Sequence, residues 1–228
     1  MTEPTALIVG ASRGLGLGLA RELLARNWTV IGTAREVNGS ALKKLGEAHP
    51  GRLRVEALDV NNEAQQRALK SKLGGTELDL LFVNAGITDR AELADISQQA
   101  FTNVMLTNAL SPVQIALALR ENLRPGGTVA FMSSRMGSIA EMEVGNSAVY
   151  RASKAALNAL TRCFVAGVGA GTFTVLTFHP GWVRTDMGGP NAAVSIEDSV
   201  RGIADVLERE RGSGKHKFLD YQGNAIPW

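Results

Sequence analysis

The chain has very little cysteine and almost no surplus of charge. Its 228 residues include one cysteine, and 24 Lys and Arg residues against 22 Asp and Glu leave a net charge of +2. A single cysteine excludes an internal disulfide bond and a cysteine-based zinc site. So small a net charge argues against nucleic acid or a membrane surface as a partner. Cys163 stands among apolar residues in a helical pattern, so we expect a buried thiol with no nucleophilic role.

Long apolar runs, repeats and linkers are missing as well. No stretch approaches the roughly 18 apolar residues that a membrane-spanning helix needs. The first residues lack the basic segment and apolar run of a signal peptide. With 45% hydrophobic residues, the composition is typical of a soluble globular protein. We therefore expect a cytoplasmic protein with one domain and no metal site.

Short apolar runs alternate with helical patterns along the chain. The predicted strands cover 6–9, 29–33, 53–58, 78–83, 128–132, 173–178 and 217–219. The predicted helices cover 15–26, 40–48, 63–72, 100–123, 147–160 and 196–211. Repeated strand–helix–strand units predict an α/β fold, with a doubly wound parallel sheet of about seven strands and helices on both faces. Ligands of such sheets bind beyond the carboxyl ends of the strands.

Three segments follow predicted strands at that edge. The glycine turn Gly10-Ala-Ser-Arg-Gly-Leu-Gly16 opens the first helix, where backbone N–H groups and the helix amino terminus can face a pyrophosphate. Asp59 ends the third strand, where it could bond an adenine amine or cap the next helix. Asn84-Ala85-Gly86 ends the fourth strand, and small residues there let a flat ring approach the backbone. The last segment is also compatible with an ordinary strand-to-turn sequence.

Tyr150 and Lys154 form the most informative pair of the chain. They stand four residues apart in a predicted helix, so their side chains project from the same face. Because a cation beside a phenol favours the phenolate, we expect the pKa of Tyr150 to lie below its usual value of about 10. Such a phenol can deliver a proton near neutral pH to a substrate that receives a hydride. The alternative is an ordinary pair on a solvated helix face.

Together these segments resemble the short-chain dehydrogenase/reductase family over essentially the whole chain. The matching pieces are the glycine turn 10–16, Asp59, Asn84-Ala85-Gly86, Asn108, Ser134, Tyr150-x-x-x-Lys154, Pro180-Gly181 and Thr185. Segments 132–137 and 179–188 are most similar to the C-factor and sniffer-type carbonyl reductase branch. Val9 stands where the family usually has Thr, and Val83 where it usually has Asn. We expect apolar packing to replace polar bonding between strands at these two positions.

The resemblance implies a single NAD(P)-binding Rossmann-type domain over 1–228 that interconverts carbonyl compounds and alcohols. Tyr150 would exchange the proton, Lys154 would hold the nicotinamide ribose, and Ser134 rather than Ser133 would orient the substrate oxygen. Asn108 would kink the long helix and hold a water that relays protons from Lys154. The implied coenzyme contacts are Gly10, Ser12, Arg13, Gly14, Leu15, Gly16, Arg35, Asp59, Val60, Asn84, Ala85, Gly86, Tyr150, Lys154, Pro180, Gly181, Val183 and Thr185.

From the residues alone, some of these positions have more than one interpretation. Asn108 could be a polar residue on the helix surface, and Pro112 in the same helix also predicts a kink. Trp182 could face the substrate or belong to the core. For His179 we expect a hydrogen-bonded structural role rather than that of a base. The lid 186–195 is short and contains a Gly-Gly-Pro turn, which predicts an open pocket with broad acceptance of carbonyl compounds.

The residues after the second strand favour NADP(H) as the coenzyme. NAD sites place an acid at the end of that strand, and the family alignment puts Ala34 there, followed by Arg35. Arg13 lies in the glycine turn, so we expect two guanidinium groups to converge on the 2′-phosphate. Glu36 is expected to point away, although a looser count from the glycines would make it the ribose acid.

Two other functions are compatible with parts of the sequence. A nucleotide-sugar epimerase or dehydratase of the extended branch needs a C-terminal substrate domain, and only residues 155–228 follow the Tyr/Lys pair. The alternative is a dinucleotide-binding signalling or redox-sensing protein with little turnover, although such binders commonly lose the Tyr, Lys or Ser that this chain keeps. We expect a homo-oligomer, dimer or tetramer. Its seam would use Val113, Ala155, Leu157 and Ala159, unless these residues face the sheet.

Overall fold

A computed structural model describes residues 3–89 and 91–228. The strands are β1 Thr5–Val9, β2 Thr29–Ala34, β3 Leu53–Ala57, β4 Leu78–Val83, β5 Leu123–Met132, β6 Thr174–His179 and β7 His216–Asp220. Within the described residues they form one seven-stranded sheet in the order β3-β2-β1-β4-β5-β6-β7, and every neighbouring pair is parallel. The predicted doubly wound α/β sheet, with its seventh strand at the edge, is confirmed.

Helices cover both faces of the sheet. They are α1 Gly14–Ala25, α2 Ala41–Ala48, α3 Glu63–Leu73, α4 Gln98–Met105, α5 Ser111–Leu119, α6 Ala148–Val168 and α7 Ile196–Glu210. Helices α1, α2 and α7 pack with one apolar cluster, and α3, α5 and α6 pack with a second. Each cluster lies on its own face of the sheet, so the protein has a three-layer architecture.

Apolar residues line both sides of the central strands. In β1, Ile8 belongs to the cluster under α1 and α7, whereas Leu7 and Val9 belong to the cluster under α5 and α6. Such two-sided burial is typical of parallel strands covered by helices on both faces. Val83 lies in the same cluster as Val9, so apolar packing does replace polar bonding there. The backbone N–H groups of Asn84 and Ala85 both donate to the Val9 carbonyl.

The long helix predicted at 100–123 is interrupted. Helix α4 passes into a π-helical segment, Leu106–Leu110, before α5 begins, and a 3-10 turn follows at Arg120–Asn122. Pro112 stands in the first turn of α5, and it has no N–H to donate to the carbonyl of Asn108 four residues earlier. The irregularity therefore surrounds Asn108, whereas Pro112 stands in the regular helix that follows.

One expectation about side-chain burial on the helices is wrong. Cys163 is exposed, because its position on α6 lies on the outer face of the helix. Of the four residues named for a seam, Val113 and Leu157 are buried against the sheet, which is the alternative stated above, whereas Ala155 is half-buried and Ala159 is exposed. No helix among the described residues has the length and apolar character needed to span a bilayer.

Candidate active site

The glycine turn lies against the ends of two neighbouring strands. The N–H of Gly10 donates to the Thr33 hydroxyl at 3.0 Å, and the Asn84 amide donates to the Gly10 carbonyl at 2.8 Å. A Cβ on Gly10 would come within 2.9 Å of the Ala85 backbone, so only glycine fits there, and its φ is +83°. The turn thus meets the Asn84-Ala85-Gly86 segment where the strand order reverses between β1 and β4, the place where such sheets bind ligands.

The amino terminus of α1 has the features of an anion-binding site. Arg13 precedes the helix with an extended backbone, and within the described residues no side chain caps this end and no acid lies in its first turn. The N–H groups from Gly14 to Gly16 therefore face outward with the positive end of the helix dipole. A side chain on Gly16 would overlap the Gly10 carbonyl oxygen. These features fit the pyrophosphate of a dinucleotide.

The third strand ends in a turn built by Asp59. The carboxylate of Asp59 accepts from the Asn61 N–H at 2.9 Å, and Val60 between them is buried. The cap of α3 is Asn62, whose side chain accepts from the Gln65 N–H at 3.1 Å. Asp59 is therefore not the helix cap, and the prediction that it contacts the adenine stays a prediction.

The two arginines predicted to meet at the 2′-phosphate are both exposed. Arg13 pairs with Asp186 at 2.7 Å, across the cleft between the glycine turn and the start of the lid. Arg35 is exposed beyond the end of β2, next to buried Ala34. The expected convergence of the two guanidinium groups on a 2′-phosphate stays a prediction. The Arg13–Asp186 side chains are 74% and 79% exposed, and such ion pairs contribute at most about 1 kcal/mol, so a phosphate can readily draw Arg13 away.

Three of the predicted catalytic side chains meet beyond the end of β5. Lys154 is buried, its Nζ donates to the Met132 carbonyl at 2.9 Å, and the same atom lies 5.7 Å from the centre of the Tyr150 ring. The Ser134 side chain makes a hydrogen bond with the Tyr150 phenol. Ser134 is the second residue after β5, and Tyr150 and Lys154 lie on successive turns of α6.

Burial controls the titration of this cluster. It raises the pKa of Tyr150 to about 12, and the hydrogen bond with Ser134 acts in the opposite direction. Burial also lowers the pKa of Lys154 to about 8. The expectation that Lys154 holds the pKa of Tyr150 below its usual value is therefore wrong for the protein by itself, because the loss of hydration outweighs the opposing hydrogen bond with Ser134. At neutral pH the phenol carries its proton and the amine is mostly charged.

Asn108 joins the cluster from the π-helical segment. It is fully buried, which excludes a role on the helix surface. Its side chain accepts from the Ile87 N–H at 2.8 Å and donates to the Ile87 carbonyl at 2.8 Å and the Ser153 hydroxyl at 3.0 Å. The Ser153 hydroxyl in turn donates to the Tyr150 carbonyl at 2.7 Å. Asn108 thus ties the chain beyond Gly86 to the helix that carries Tyr150.

Two polar connections near the site were not predicted from the sequence. Asn61 donates to the Thr107 hydroxyl at 2.7 Å and accepts from the Ser111 hydroxyl at 2.8 Å, so it fastens both sides of the π-helical segment. Buried Arg151 donates to the carbonyl and side-chain oxygens of Asn146 at 2.8 and 2.9 Å, bracing the loop before α6. Thr107 and Ser111 stand four residues apart, on one helix face, and this spacing was the signal in the sequence for their shared contact with Asn61.

The segment after β6 carries the start of the lid. Trp182 is 57% exposed, so it does not belong to the core, and its Nε1 donates to the Gly188 carbonyl at 2.9 Å. Val183 is buried, and a Cβ on Gly14 would lie 3.7 Å from Thr185, so this segment adjoins the amino terminus of α1. The lid residues 186–195 contain no helix.

His179 stands at the end of β6, next to this segment. Burial lowers its pKa to about 4, with the charge of Arg135 acting in the same direction and that of Asp220 against it. It is therefore neutral at physiological pH. Its Nδ1 has no hydrogen-bond partner in the described part of the chain, so the bond expected for a structural histidine is absent at that nitrogen.

Comparison with known proteins agrees with this arrangement. The sequence model of the family described as short chain dehydrogenase matches residues 4–194. The chain belongs to the short-chain dehydrogenase family. The matched region includes the glycine turn, the Asn84-Ala85-Gly86 segment and all four predicted catalytic residues.

Comparison with individual members of the short-chain dehydrogenase family shows which branch this chain resembles. C-signal of Myxococcus xanthus is 37% identical over 165 residues, 71% of this chain and 99% of that protein. A carbonyl reductase from Pseudomonas aeruginosa PAO1, solved in complex with NADP, is 40% identical with a TM-score of 0.93 over the whole of both chains. The carbonyl reductase Sniffer of D. melanogaster is 28% identical with a TM-score of 0.90, again over both whole chains. The predicted branch is confirmed, and the chain is a short-chain dehydrogenase family oxidoreductase.

Because burial lowers the pKa of Lys154 to about 8, we predict an alkaline limit to catalysis. The ammonium is present below this pH and is lost above it, so the rate of reduction at saturating coenzyme should fall as the pH rises through about 8. Lys154→Arg keeps the charge, since guanidinium titrates only above about 12, and its residual activity should not show this fall. Initial rates across the pH range test both. A wild-type rate that stays constant well above that pH would contradict the assignment.

Proposed function

We propose that this protein is an NADP-dependent carbonyl reductase or alcohol dehydrogenase, which interconverts aldehydes or ketones and alcohols. The observation that carries the proposal is the cluster of buried Ser134, half-buried Tyr150 and buried Lys154, together with a glycine turn whose backbone N–H groups can bind an anion. The Pseudomonas aeruginosa carbonyl reductase, which shares 40% identity and was solved with NADP, supports both the coenzyme and the substrate class.

The residues present fit the coenzyme along the whole cleft. The backbone N–H groups of the glycine turn would hold the pyrophosphate, and Asn84-Ala85-Gly86 would lie against the nicotinamide half. Lys154 would bond the ribose hydroxyls, and a Cβ on Gly86 would stand 3.4 Å from its Nζ, so glycine keeps that approach open. The segment from Pro180 to Thr185 would hold the carboxamide. When bound, NADPH supplies the hydride for carbonyl reduction.

The protein's own part of the reaction is to place and deliver a proton. Ser134 accepts from the Met136 N–H at 3.1 Å, which leaves its hydroxyl proton available for the substrate oxygen. Tyr150 gives its phenolic proton to that oxygen as the carbonyl becomes an alcohol, and it takes a proton back when an alcohol is oxidised. The charge left on the phenolate is stabilised by Lys154. The carbonyl of Asn108, which Pro112 cannot pair, would hold the water that returns a proton.

Turnover of NADPH with a panel of aldehydes and ketones, followed by its absorbance, tests the proposal. The lid at 186–195 is short and without a helix, so we propose an open pocket that accepts many carbonyl compounds. A second candidate is a dinucleotide-binding signalling protein with little turnover, which the likeness to C-signal favours. Binding of NADPH without turnover of any compound in the panel would favour that candidate.

The same panel tests the open pocket. The pocket would not be open if kcat/KM for one compound exceeded that of all near analogues by about 10³. Such a ratio is far larger than the discrimination that one methylene group provides.

The role of Tyr150 predicts a specific loss. Tyr150→Phe removes the proton donor and keeps the ring, so NADPH should bind with unchanged Kd while kcat falls below about a tenth of the wild-type value. Fluorescence titration measures the first quantity and steady-state kinetics the second. A variant that still reduces a good substrate at more than about a tenth of the wild-type rate would show that another group supplies the proton.

The arginines predict a preference for NADPH over NADH. A charge-assisted hydrogen bond contributes about 1.5–3 kcal/mol, so Arg35 alone should raise kcat/KM for NADPH about ten- to a hundredfold. Ala34→Asp with Arg35→Ser should reverse the preference. Asp186→Asn releases Arg13 from its ion pair, so it should improve NADPH binding and leave NADH binding unchanged. Equal kcat/KM values for both coenzymes in the wild type, or a lead for NADH, would contradict the assignment.

We also propose that the protein is a homo-oligomer, formed through the outer face of α4 and α5. Three large apolar residues remain exposed there, Phe101, Leu110 and Leu117, each about two-fifths accessible at 40%, 43% and 40%. Burying them against a second copy would remove this apolar surface from water. Light scattering at micromolar protein should give at least a dimer mass, and Leu117→Lys should lower it. A monomer mass for the wild type would contradict the proposal.

A further inference from the structure

Asn158 lies one helical turn beyond the Tyr/Lys pair. It follows Lys154 by four residues on α6, so Tyr150, Lys154 and Asn158 occupy the same stripe of the helix. Its side chain is only 4% exposed, although it is polar and the proposed reaction gives it no proton to move. A buried amide of this kind requires partners, because an unpaired one destabilises the fold.

The partners of Asn158 lie on both sides of Ser134. Its Oδ1 accepts from the Ser133 hydroxyl at 2.7 Å, and its Nδ2 donates to the Gly137 carbonyl at 3.1 Å. The five residues 133–137 form a short loop that ends in a 3-10 turn. One planar amide therefore fastens the residue before Ser134 and the end of the turn that follows it.

The loop and the helix are in direct contact at this point. A Cβ on Gly137 would lie 2.8 Å from the Cβ of Lys154, so the two backbones approach as closely as glycine allows. Lys154 donates to the Met132 carbonyl at 2.9 Å, just before the loop. Successive turns of α6 thus hold the end of β5 through Lys154 and the loop beyond it through Asn158.

We propose that Asn158 is a positioning residue, which sets the Ser134 hydroxyl against the Tyr150 phenol by fastening residues 133–137 to α6. The inference rests on the proposed function, since it assigns Asn158 to the same reaction. The position requires an acceptor for the Ser133 hydroxyl and a donor for the Gly137 carbonyl. An amide presents both groups from one rigid plane. Asp lacks the donor, and Leu lacks both groups.

Loss of this amide should leave a specific signature. If the loop relaxes, Ser134 no longer orients the substrate oxygen, so kcat falls and KM for the carbonyl rises while coenzyme binding stays intact. The hydrogen bond that Ser134 makes with Tyr150 favours the phenolate, so its loss should also shift the pH dependence of alcohol oxidation to higher pH. A residue that only stabilised the fold would change neither the pH dependence nor the coenzyme-saturated kcat.

The chain offers a matched control in Asn122. It is also buried, at 8%, and it donates to the Gly74 and Thr76 carbonyls at 2.9 and 3.1 Å. These bonds lie at the opposite end of the sheet, before β5 begins. Asn122→Ala therefore removes two hydrogen bonds to carbonyl groups far from Ser134. The variant serves as a control for the loss of stability that Asn158→Ala causes.

The experiment compares wild type, Asn158→Ala, Ser133→Ala and Asn122→Ala by melting temperature, Kd for NADPH, kcat, KM and the pH profile of alcohol oxidation. Both Asn variants should melt below the wild type. Only Asn158→Ala should lower kcat about 10- to 100-fold, with Kd for NADPH within about twofold and the oxidation profile shifted to higher pH. Ser133→Ala keeps the Gly137 bond and should show a smaller change of the same kind.

Each outcome decides between the hypotheses. If the wild type turns over the panel and Asn158→Ala matches Asn122→Ala in kcat and pH profile, the positioning role is overturned and the proposed function stands. If Asn158→Ala does not fold, Ser133→Ala decides: a lowered kcat with a shifted profile supports the role, and wild-type kinetics overturn it. If the wild type binds NADPH without turnover, the proposed function fails and this inference fails with it.

Discussion

The close contact between α6 and the end of β5 is the constraint on which the candidate active site depends. Lys154 is buried at 3% exposure, where its ammonium loses water, and the Met132 carbonyl is its main compensation. Burying a cation that has no carboxylate partner is unfavourable, and for this reason the pKa of Lys154 is lowered. Gly86 and Gly137 stand where a side chain would press against Lys154. The backbone around this amine is therefore glycine for steric reasons, and the site cannot be widened without moving α6.

The π-helical segment adds a second constraint from the opposite side. Helix α4 does not run directly into α5, because the π-helical segment separates them, and Pro112 in the first turn of α5 has no N–H to offer the Asn108 carbonyl. The wider turn carries Asn108 inward, where its amide bonds both backbone groups of Ile87 and reaches Ser153. Asn61 fastens the same turn through Thr107 and Ser111. An irregular helix is thereby held rigid, and such bulges are frequent at functional sites.

The part of the cleft around the glycine turn differs from the Tyr/Lys cluster, because its charged side chains are exposed and their ion pairs are weak. The glycine turn is fixed by Thr33 and Asn84, but Arg13 in this turn and Arg35 after β2 are exposed to solvent. The Arg13–Asp186 pair links the turn to the lid with little energy, since both side chains remain hydrated. In the proposed function, the backbone of this turn would hold the pyrophosphate and the exposed arginines would bind the 2′-phosphate.

Local and periodic features could be predicted from the sequence. The alternation of apolar strands and helices determines the sheet, and the spacing of Tyr150 and Lys154 places them on one helix face, because both depend on backbone geometry alone. The order of the motifs was also enough to identify the family. Packing decided the rest, since burial depends on which face of a helix meets the sheet. Thus Cys163 is exposed and Leu157 is buried, though both stand in similar apolar surroundings along the chain. Likewise the pKa of Tyr150 rises although a lysine is near, because hydration is lost only when the layers close around the phenol.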